Sequence, residues 1–414
     1  MEQFRSKLAA AEQALVDLRE SQRDTLLSYY SVLKYYKDTY DMRRYAAHTN
    51  DTFYLCGWVP QQNMAQFEEK FKPFSDTVYV LEEPASPSVV PPTKLHNRGP
   101  IRFFEQFVEM YGLPAYNEAD PTPLLALTYT LFFGVMFGDV GQGAVLILAG
   151  LLAWKLLKMP LGKIISVVGC SSIVFGFVYG SVFGNEDLLP GFKAFESASN
   201  TNTILICSVA IGLVFISVAM IYNIYNGFRQ KNMSKALFSQ NGIAGFIFYW
   251  AVVVAVLCTL LTDIKLLNPV YIGLLVIVPL LLIFAQEPLG KLVERRKNWM
   301  PKEKGGYIVE NFFELFEILL SFVSNTISFV RIGAFALNHV GMMMVVFALM
   351  ESVGGIGSPV IFVIGNIFVM CLEGLIVGIQ VLRLEFYELF GRFYSGTGTP
   401  YKPFVINFKR EKKS

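Results

Sequence analysis

The sequence predicts a mostly α-helical, polytopic membrane protein with eight transmembrane helices, the last two long and tilted, and a partial cytoplasmic N-terminal part of helical and α/β character. Three observations carry this. The 414 residues are 53% hydrophobic and only 16% charged, against about 25% charged in an ordinary soluble chain. The deficit is uneven: Lys and Arg are dense over residues 1–120, whereas from Pro121 onward apolar runs of membrane-spanning length recur, each of about 20 residues. Finally, the loops between those runs alternate in charge.

The N-terminus comes first. Residues 1–45 read as a helix with Leu8, Leu15, Leu18, Leu26, Leu27, Tyr30 and Leu33 as its apolar stripe and Arg5, Lys7, Arg19 and Arg23 between. A lone amphipathic helix of this length wants a partner helix over its stripe. Residues 52–82 read as a small α/β unit: a strand over 52–59 ending at Pro60, a helix around Met64–Phe71, and a second strand over 77–81. Residues 83–100, with Pro84, Pro87, Pro91 and Pro92, form a linker. Residues 101–123 make an irregular approach to the membrane. The opening residues lack the apolar stretch of a signal peptide.

The eight spans fall at about 123–138, 140–157, 163–184, 203–225, 243–261, 269–286, 310–349 and 359–391. The first two form a hairpin around Gly138-Asp139-Val-Gly141, and the last two exceed a bilayer's thickness, which implies tilt or extension beyond it. With both termini cytoplasmic, the inner loops carry Lys155, Lys158 and Lys163, then Arg229, Lys231 and Lys235, then Lys291, Arg295, Arg296, Lys297, Lys302 and Lys304. The C-terminal tail adds Lys409, Arg410, Lys412 and Lys413. The outer loops carry Glu186, Asp187, Lys193 and Glu196, then Lys265, then no Lys or Arg between the last two spans. Every loop fits the positive-inside rule. The cell membrane is the expected location.

The composition excludes other classes. The net charge of +2 comes with no long basic run, so nucleic acid is not an expected partner. Cys56, Cys170, Cys207, Cys258 and Cys371 show no CxxC spacing and read as buried, reduced side chains rather than metal ligands. No P-loop pattern occurs, so nucleotide chemistry is not expected in this chain; no cofactor, metal or catalytic residue is expected either.

The seventh and eighth spans carry the chemistry. Arg331 lies in a run long enough to cross a bilayer, where a permanent cation costs at least about 2.5–3.5 kcal/mol and marks a functional site. With each residue turning by about 100°, Glu317, Ser321, Ser324, Ser328, Arg331 and His339 fall within about 40° of Glu317, one polar stripe on an apolar helix. Serines alone would read as interhelical hydrogen-bonding residues; Glu, Arg and His on the same stripe do not. In the eighth span Glu373, Gln380, Arg383 and Tyr387 share an arc of about 80°, although an arginine near a span's end also suits interfacial anchoring. By helical rise Glu317 lies roughly 21 Å inward of Arg331 and His339 roughly 12 Å outward, while Glu373 lies roughly 15 Å outward of Arg383. The two arginines share a depth, with inner and outer polar groups on opposite sides. That layout implies two aqueous half-channels divided by a cationic barrier, crossed by a carboxylate on a moving partner, since no mobile carboxylate is evident in this chain. A secondary transporter with its own midplane site is the alternative, but no clear repeat is seen; a mere membrane anchor would not need buried Glu and Arg.

These residues resemble a known family. Gly57-Trp-Val-Pro60, Tyr111-Gly-Leu-Pro-Ala-Tyr-Asn-Glu-Ala-Asp-Pro-Thr-Pro123, Phe133-Gly-Val-Met-Phe-Gly-Asp-Val-Gly-Gln-Gly143, Ser328-Phe-Val-Arg331, the stretch from Glu373-Gly to Arg383-Leu, and Phe393-Tyr-Ser-Gly-Thr-Gly-Thr-Pro-Tyr-Lys-Pro-Phe404 resemble, in this order, subunit I of the archaeal and bacterial V-type (A-type) ATPases, the counterpart of vacuolar ATPase subunit a. The resemblance implies the membrane stator of a rotary ATPase, coupling H⁺ or Na⁺ translocation to ATP hydrolysis or synthesis. It implies that Arg331 faces a ring of proteolipid (c/K) subunits, and that Glu317, Ser321, His339, Glu373, Gln380 and Arg383 line the ion path. Peripheral-stalk subunits of the E and G/H types, central-stalk-side membrane subunits and lipid are the other implied partners. Ser321 stands where family members carry an amide, and Gln142 where they often carry His, so the Gly-Asp turn is expected only to pack, its glycines permitting close approach. Family members have a longer N-terminal arm; this chain is expected to start partway along the helix returning from it. The implied domains are residues 1–50, a cytoplasmic helix of that incomplete arm; 51–120, the small cytoplasmic α/β unit and linker; 121–405, the membrane domain; and 406–414, a basic cytoplasmic tail.

Overall fold

A computed structural model describes residues 2–81, 89–185, 188–191, 198–261, 268–293, 304–355 and 357–403. The predicted charges at Glu186, Asp187, Lys193, Glu196, Lys265, Arg295, Arg296, Lys297 and Lys302, part of the linker, and the basic tail lie outside them. The chain divides into two compact units, residues 1–92 with 400–414, and residues 93–399.

The first unit is dominated by helix α1 (Glu2–Met42). Leu8, Leu15, Leu18, Leu26 and Leu33 are each at least 60% exposed, so the apolar stripe read from the sequence lies uncovered. A two-stranded antiparallel hairpin follows, β1 (Ala46–His48) with β2 (Phe53–Leu55), pairing Ala47 with Tyr54. Helix α2 (Met64–Phe71) forms where expected. The strand expected over 77–81 does not; that stretch is irregular. Alternating apolar residues make a strand only when a partner edge is within reach, and β2 instead takes the nearer segment, across a turn held by the Thr49–Thr52 hydroxyl pair at 2.6 Å.

In the second unit, α3 (Glu105–Tyr111) leads to α4 (Thr122–Met136), α5 (Val140–Leu156), α6 (Leu161–Tyr179), α7 (Ala198–Arg229) and α8 (Ile243–Leu261). After these come a bent pair, α9 (Pro269–Phe284) and α10 (Gln286–Val293), angled by 77°. The last elements are α11 (Lys304–Ser328), α12 (Val330–Val353) and α13 (Gly357–Arg383), which runs on into a π-helical segment, Leu384–Phe390. Among the described residues, five helical stretches are long and apolar enough to cross a membrane, six if the bent pair is one span; α4 and α5 are apolar but shorter, 15 and 17 residues. The protein is thus a mostly helical, multi-pass membrane protein.

The approach to the membrane is shaped by its polar residues. Asp120 accepts from the Thr122 backbone N–H (2.9 Å) and hydroxyl (2.5 Å), which satisfies donors at the start of α4, and from Asn97 Nδ2 at 2.7 Å. The segment after Phe393 returns to the same place: Tyr394 donates to the Gly112 carbonyl (2.5 Å) and the Gly398 N–H to the Leu113 carbonyl (2.9 Å). Two motifs nearly 300 residues apart in sequence therefore form one structural feature.

The cysteines correct an expectation. Cys56, Cys170, Cys207 and Cys371 are exposed on this chain and Cys258 is half-buried, all free; four of them sit in apolar helices, whose outward faces suit lipid or partner helices as well as a core does.

Helices α5 and α6 pack most closely. A Cβ at Gly162 would lie 2.5 Å from the Gly150 carbonyl oxygen and 2.7 Å from the Trp154 nitrogen, so backbone meets backbone there. Gly162→Ala is expected to destabilise the subunit by about 1–3 kcal/mol through overpacking. A lower midpoint of thermal unfolding in detergent would be the sign, and an unchanged midpoint would contradict this packing.

Candidate functional site

Two clusters of polar side chains form in the second unit, and they share helices α12 and α13.

The first is a cleft of about 920 Å³ whose lining includes Ser328, Arg331, Arg383, Tyr387 and Glu388. Helical structure breaks between Ser328 and Val330. At the break Phe329 is fully buried, its ring 5.5 Å from that of Phe215 on α7, and Ile332 is fully buried as well. These two apolar anchors leave Arg331 facing the cleft. Its Nη2 donates to Ser328 Oγ at 3.2 Å, and the Ser328 hydroxyl is hydrogen-bonded to Glu388 Oε1. Arg331 Nη1 is buried and has no hydrogen-bond partner among the described residues. Arg383 reaches the same cleft from α13.

Glu388 was not apparent from the sequence. On an α-helix a residue five positions after Arg383 points about 140° away. The Leu384–Phe390 segment is π-helical, and i→i+5 bonding brings residues five apart onto one face. Glu388 thereby joins Arg383 and Tyr387 at the cleft. The expectation concerned a mobile carboxylate; Glu388 is a fixed one, linked to Arg331 through Ser328.

The second cluster is interior. His339, 2% exposed, shares a hydrogen bond of 2.7 Å between its Nδ1 and Oε2 of Glu373, which is 1% exposed. Its Nε2 lies 3.8 Å from Asp139 Oδ2, ion-pair range but beyond a hydrogen bond. Asp139 is fully buried and caps α5 by accepting from the Gln142 N–H at 2.7 Å; it also accepts from the Ser181 hydroxyl (2.7 Å) and the N–H groups of Phe183 (3.0 Å) and Gly184 (2.7 Å). The Gly-Asp turn, expected only to pack, thus supplies a carboxylate beside His339. Next to it Gln142 Nε2 donates to Asn366 Oδ1 at 3.0 Å. An imidazole between two carboxylates makes three groups able to hold and hand on a proton.

The single polar stripe of the seventh span is also revised. Glu317 and Ser321 are exposed, Ser321 accepting from Asn325 at 3.1 Å, and Arg331 is part-buried at the cleft. His339 instead points into the bundle. It is about 80° around α12 from Arg331 on an ideal wheel, on the side where Glu373 and Asp139 lie. The eighth span divides likewise: Glu373 points inward, Arg383 is exposed, and Gln380 is half-buried with its Oε1 unpartnered. The structure therefore groups Arg331 with Arg383, groups His339 with Glu373, and leaves Glu317 and Ser321 on the outer face of α11. Among the described residues no cluster of His, Cys, Asp or Glu suits a metal ion.

A sequence model of the V-type ATPase 116kDa subunit family matches residues 1–189 and 290–406. The chain belongs to this family. Its curated relatives include A-type ATP synthase subunit I of Pyrococcus abyssi, 28% identical over 98% of this chain and 62% of the relative, and that of Pyrococcus horikoshii, 27% identical over 99% and 63%. Subunit I of Methanocaldococcus jannaschii is 26% identical over 92% and 59%. The chain spans less than two thirds of the length of these relatives. Both matched family segments reach polar clusters described above: the first contains Asp139, the second Arg331, His339, Glu373 and Glu388.

Asp139 offers a stability test. Asp139→Ala removes the acceptor of four donors and leaves His339 and the start of α5 uncompensated, which is expected to cost about 3–5 kcal/mol. Thermal unfolding of the purified subunit should show it; a wild-type midpoint would mean the carboxylate is dispensable to the fold.

Proposed function

We propose that this chain is the membrane stator of a rotary V-type or A-type ATPase, forming two ion half-channels against a rotating proteolipid ring and coupling H⁺ or Na⁺ movement to ATP hydrolysis or synthesis. The observation that carries the reading is the shared cleft of Arg331 and Arg383, open at the chain's surface, with the His339–Glu373 pair buried farther along the same two helices. The helices that bring Ser328 and Arg383 to the cleft, α11 and α13, also present exposed apolar side chains along their length, among them Phe312, Phe316, Val323, Ile364 and Phe368. A polar cleft bordered by uncovered apolar helix faces suits an apolar helical partner carrying one carboxylate.

In this reading Arg331 is the barrier. The partner's carboxylate crosses it neutral when loaded and is attracted to the guanidinium when empty. Arg383 reinforces the barrier. Glu317 and Ser321 line the inner path, while Gln380, Glu373 and His339 serve the outer one, with Asp139 behind His339. The eight spans are the five long helical stretches, the bent pair α9–α10 as a sixth, and α4 and α5 as two short ones; both termini are cytoplasmic. Described residues on the inner side agree in character: Lys163 lies 4.7 Å from the ring centres of both Phe103 and Trp154, an interfacial arrangement of cation and aromatics. The exposed apolar residues of α1 are the surface for a partner helix that links this unit to the peripheral stalks.

The test is Arg331→Ala in the assembled complex. Coupled ion pumping should fall to background while the complex still forms, measured as ATP-driven ion uptake into vesicles; normal uptake would sink the reading. Glu317→Gln and Glu373→Gln should slow uptake less, because water substitutes in part along a hydrated path.

A further inference from the structure

The functional reading leaves one buried nitrogen unused. Nδ1 of His339 is committed to Glu373 at 2.7 Å, whereas Nε2 is buried with no hydrogen-bond partner among the described residues. The ring borders a cavity of about 10 Å³, whose lining includes Tyr179, Ser181, Ala336 and Val340 but not Glu373. Two distances put Nε2 on the cavity side. Nε2 lies 3.8 Å from Asp139 Oδ2, and that same oxygen accepts from the hydroxyl of cavity-lining Ser181 at 2.7 Å.

A cavity of this size sits at the lower limit for one water molecule. Its polar groups suit one. Asp139 Oδ2 is an acceptor, the Ser181 oxygen has a lone pair to spare, and Nε2 needs a partner. A separation of 3.8 Å between Nε2 and Oδ2 is too long for a direct hydrogen bond and short enough for a water to bridge. Four donors hold Asp139 in place: Ser181 and the backbone N–H groups of Gln142, Phe183 and Gly184. A fixed acceptor on that side favours an N–H at Nε2, which leaves Nδ1 free to accept from Glu373.

Resting on the stator reading, we propose that this cavity is a single-water site through which His339 exchanges protons with the outer side, and that Asp139 is the positioning residue that orients the imidazole toward it. In that reading the Gly138–Asp139 turn and the end of α6 face outward, and Tyr179 and Val340 on the cavity wall are only part-buried. Outward passage of one proton is a paired transfer. The Oε2–H bond of a protonated Glu373 breaks as an Nδ1–H bond forms, and the Nε2–H bond breaks as the water takes that proton. Glu373 is left ionised, and the ring keeps its hydrogen on Nδ1. A half-turn about Cβ–Cγ then carries that N–H to the cavity side and presents a bare nitrogen to Glu373 for the next proton. A hard cation such as Na⁺ needs several oxygen ligands at once, and a one-water cavity has no room for them, so this exit passes protons.

The test uses the assembled complex with the full-length subunit in sealed vesicles, with ATP-driven acidification followed by a pH-sensitive dye. Ala336→Val fills the cavity without altering a polar group, and Asp139→Asn removes the fixed charge at nearly constant shape. Each is expected to slow acidification at least about tenfold. Both are also expected to show a larger solvent deuterium isotope effect than wild type, because proton transfer then limits the rate. A packing defect lowers the amount of working complex and leaves the isotope effect unchanged. Wild-type acidification by Ala336→Val overturns the proposal, and so does slowing by either variant with an unchanged isotope effect. Should either fail to assemble, Ser181→Ala withdraws one partner of the water without adding bulk. It is expected to slow acidification severalfold with the same rise in isotope effect; wild-type acidification by it overturns the proposal. Uptake of radioactive sodium by the wild-type complex that persists after a protonophore collapses the pH gradient also overturns it, and leaves the stator reading in place. Arg331→Ala runs alongside. Normal uptake by that variant removes the stator reading itself, whereas its failure together with wild-type acidification by Ala336→Val removes the water site alone.

Discussion

A guanidinium stays protonated at any physiological pH, so a chain that places one among apolar helices must arrange its surroundings around a fixed charge. At Arg331 those surroundings are visible link by link. Phe329 and Ile332, both fully buried, pin the backbone on either side. The helix breaks at Phe329, and Ser328 sits where it can accept from Arg331 while donating to Glu388. Arg383 enters the same cleft from the neighbouring helix. The charge is thus steadied but not fully matched, since Arg331 Nη1 keeps an unused donor. A completely satisfied arginine would have nothing to offer a visiting carboxylate; an entirely unsatisfied one would be too costly to hold.

The interior cluster differs in access, although His339 Nε2 and Glu373 Oε1 also lack hydrogen-bond partners among the described residues. Glu373, His339 and Asp139 are sealed from solvent within this chain, and Asp139 is tied to the start of α5 and to backbone N–H groups at 183–184. Two polar regions with different access therefore share α12 and α13. Separating them falls to apolar side chains between the two levels, among them Val377 and Val381, both fully buried.

Much of this was legible in the sequence because its signals are one-dimensional. Apolar runs, loop charges and an arginine inside a span can be read by counting. What counting missed depends on departures from ideal helices or on long-range packing. His339 faces Glu373 and Asp139, partners that a wheel drawn for its own helix does not contain. The π-helical register brings in Glu388. Asp139 meets His339 only because α4, which ends just before it, packs against α12 and α13 in three dimensions, which no spacing between residues 139 and 339 encodes. The strand expected over 77–81 failed for a related reason: β2 found a nearer edge. Helix α1 forms where it was expected, and its leucines lie uncovered.

The π-helical segment also separates register from residue identity. Its wide turns stow extra length without advancing the helix as far as α-helical turns would, so residues 384–390 hold their directions by virtue of how many residues lie between Arg383 and Gly391. A version of this chain with every side chain of the cleft retained, but one residue fewer in that interval, would swing Glu388 off the face it shares with Arg383 while leaving all the polar residues in its composition. In this last helix length is itself a functional character, and alignments that close a one-residue gap there would compare residues that face different ways.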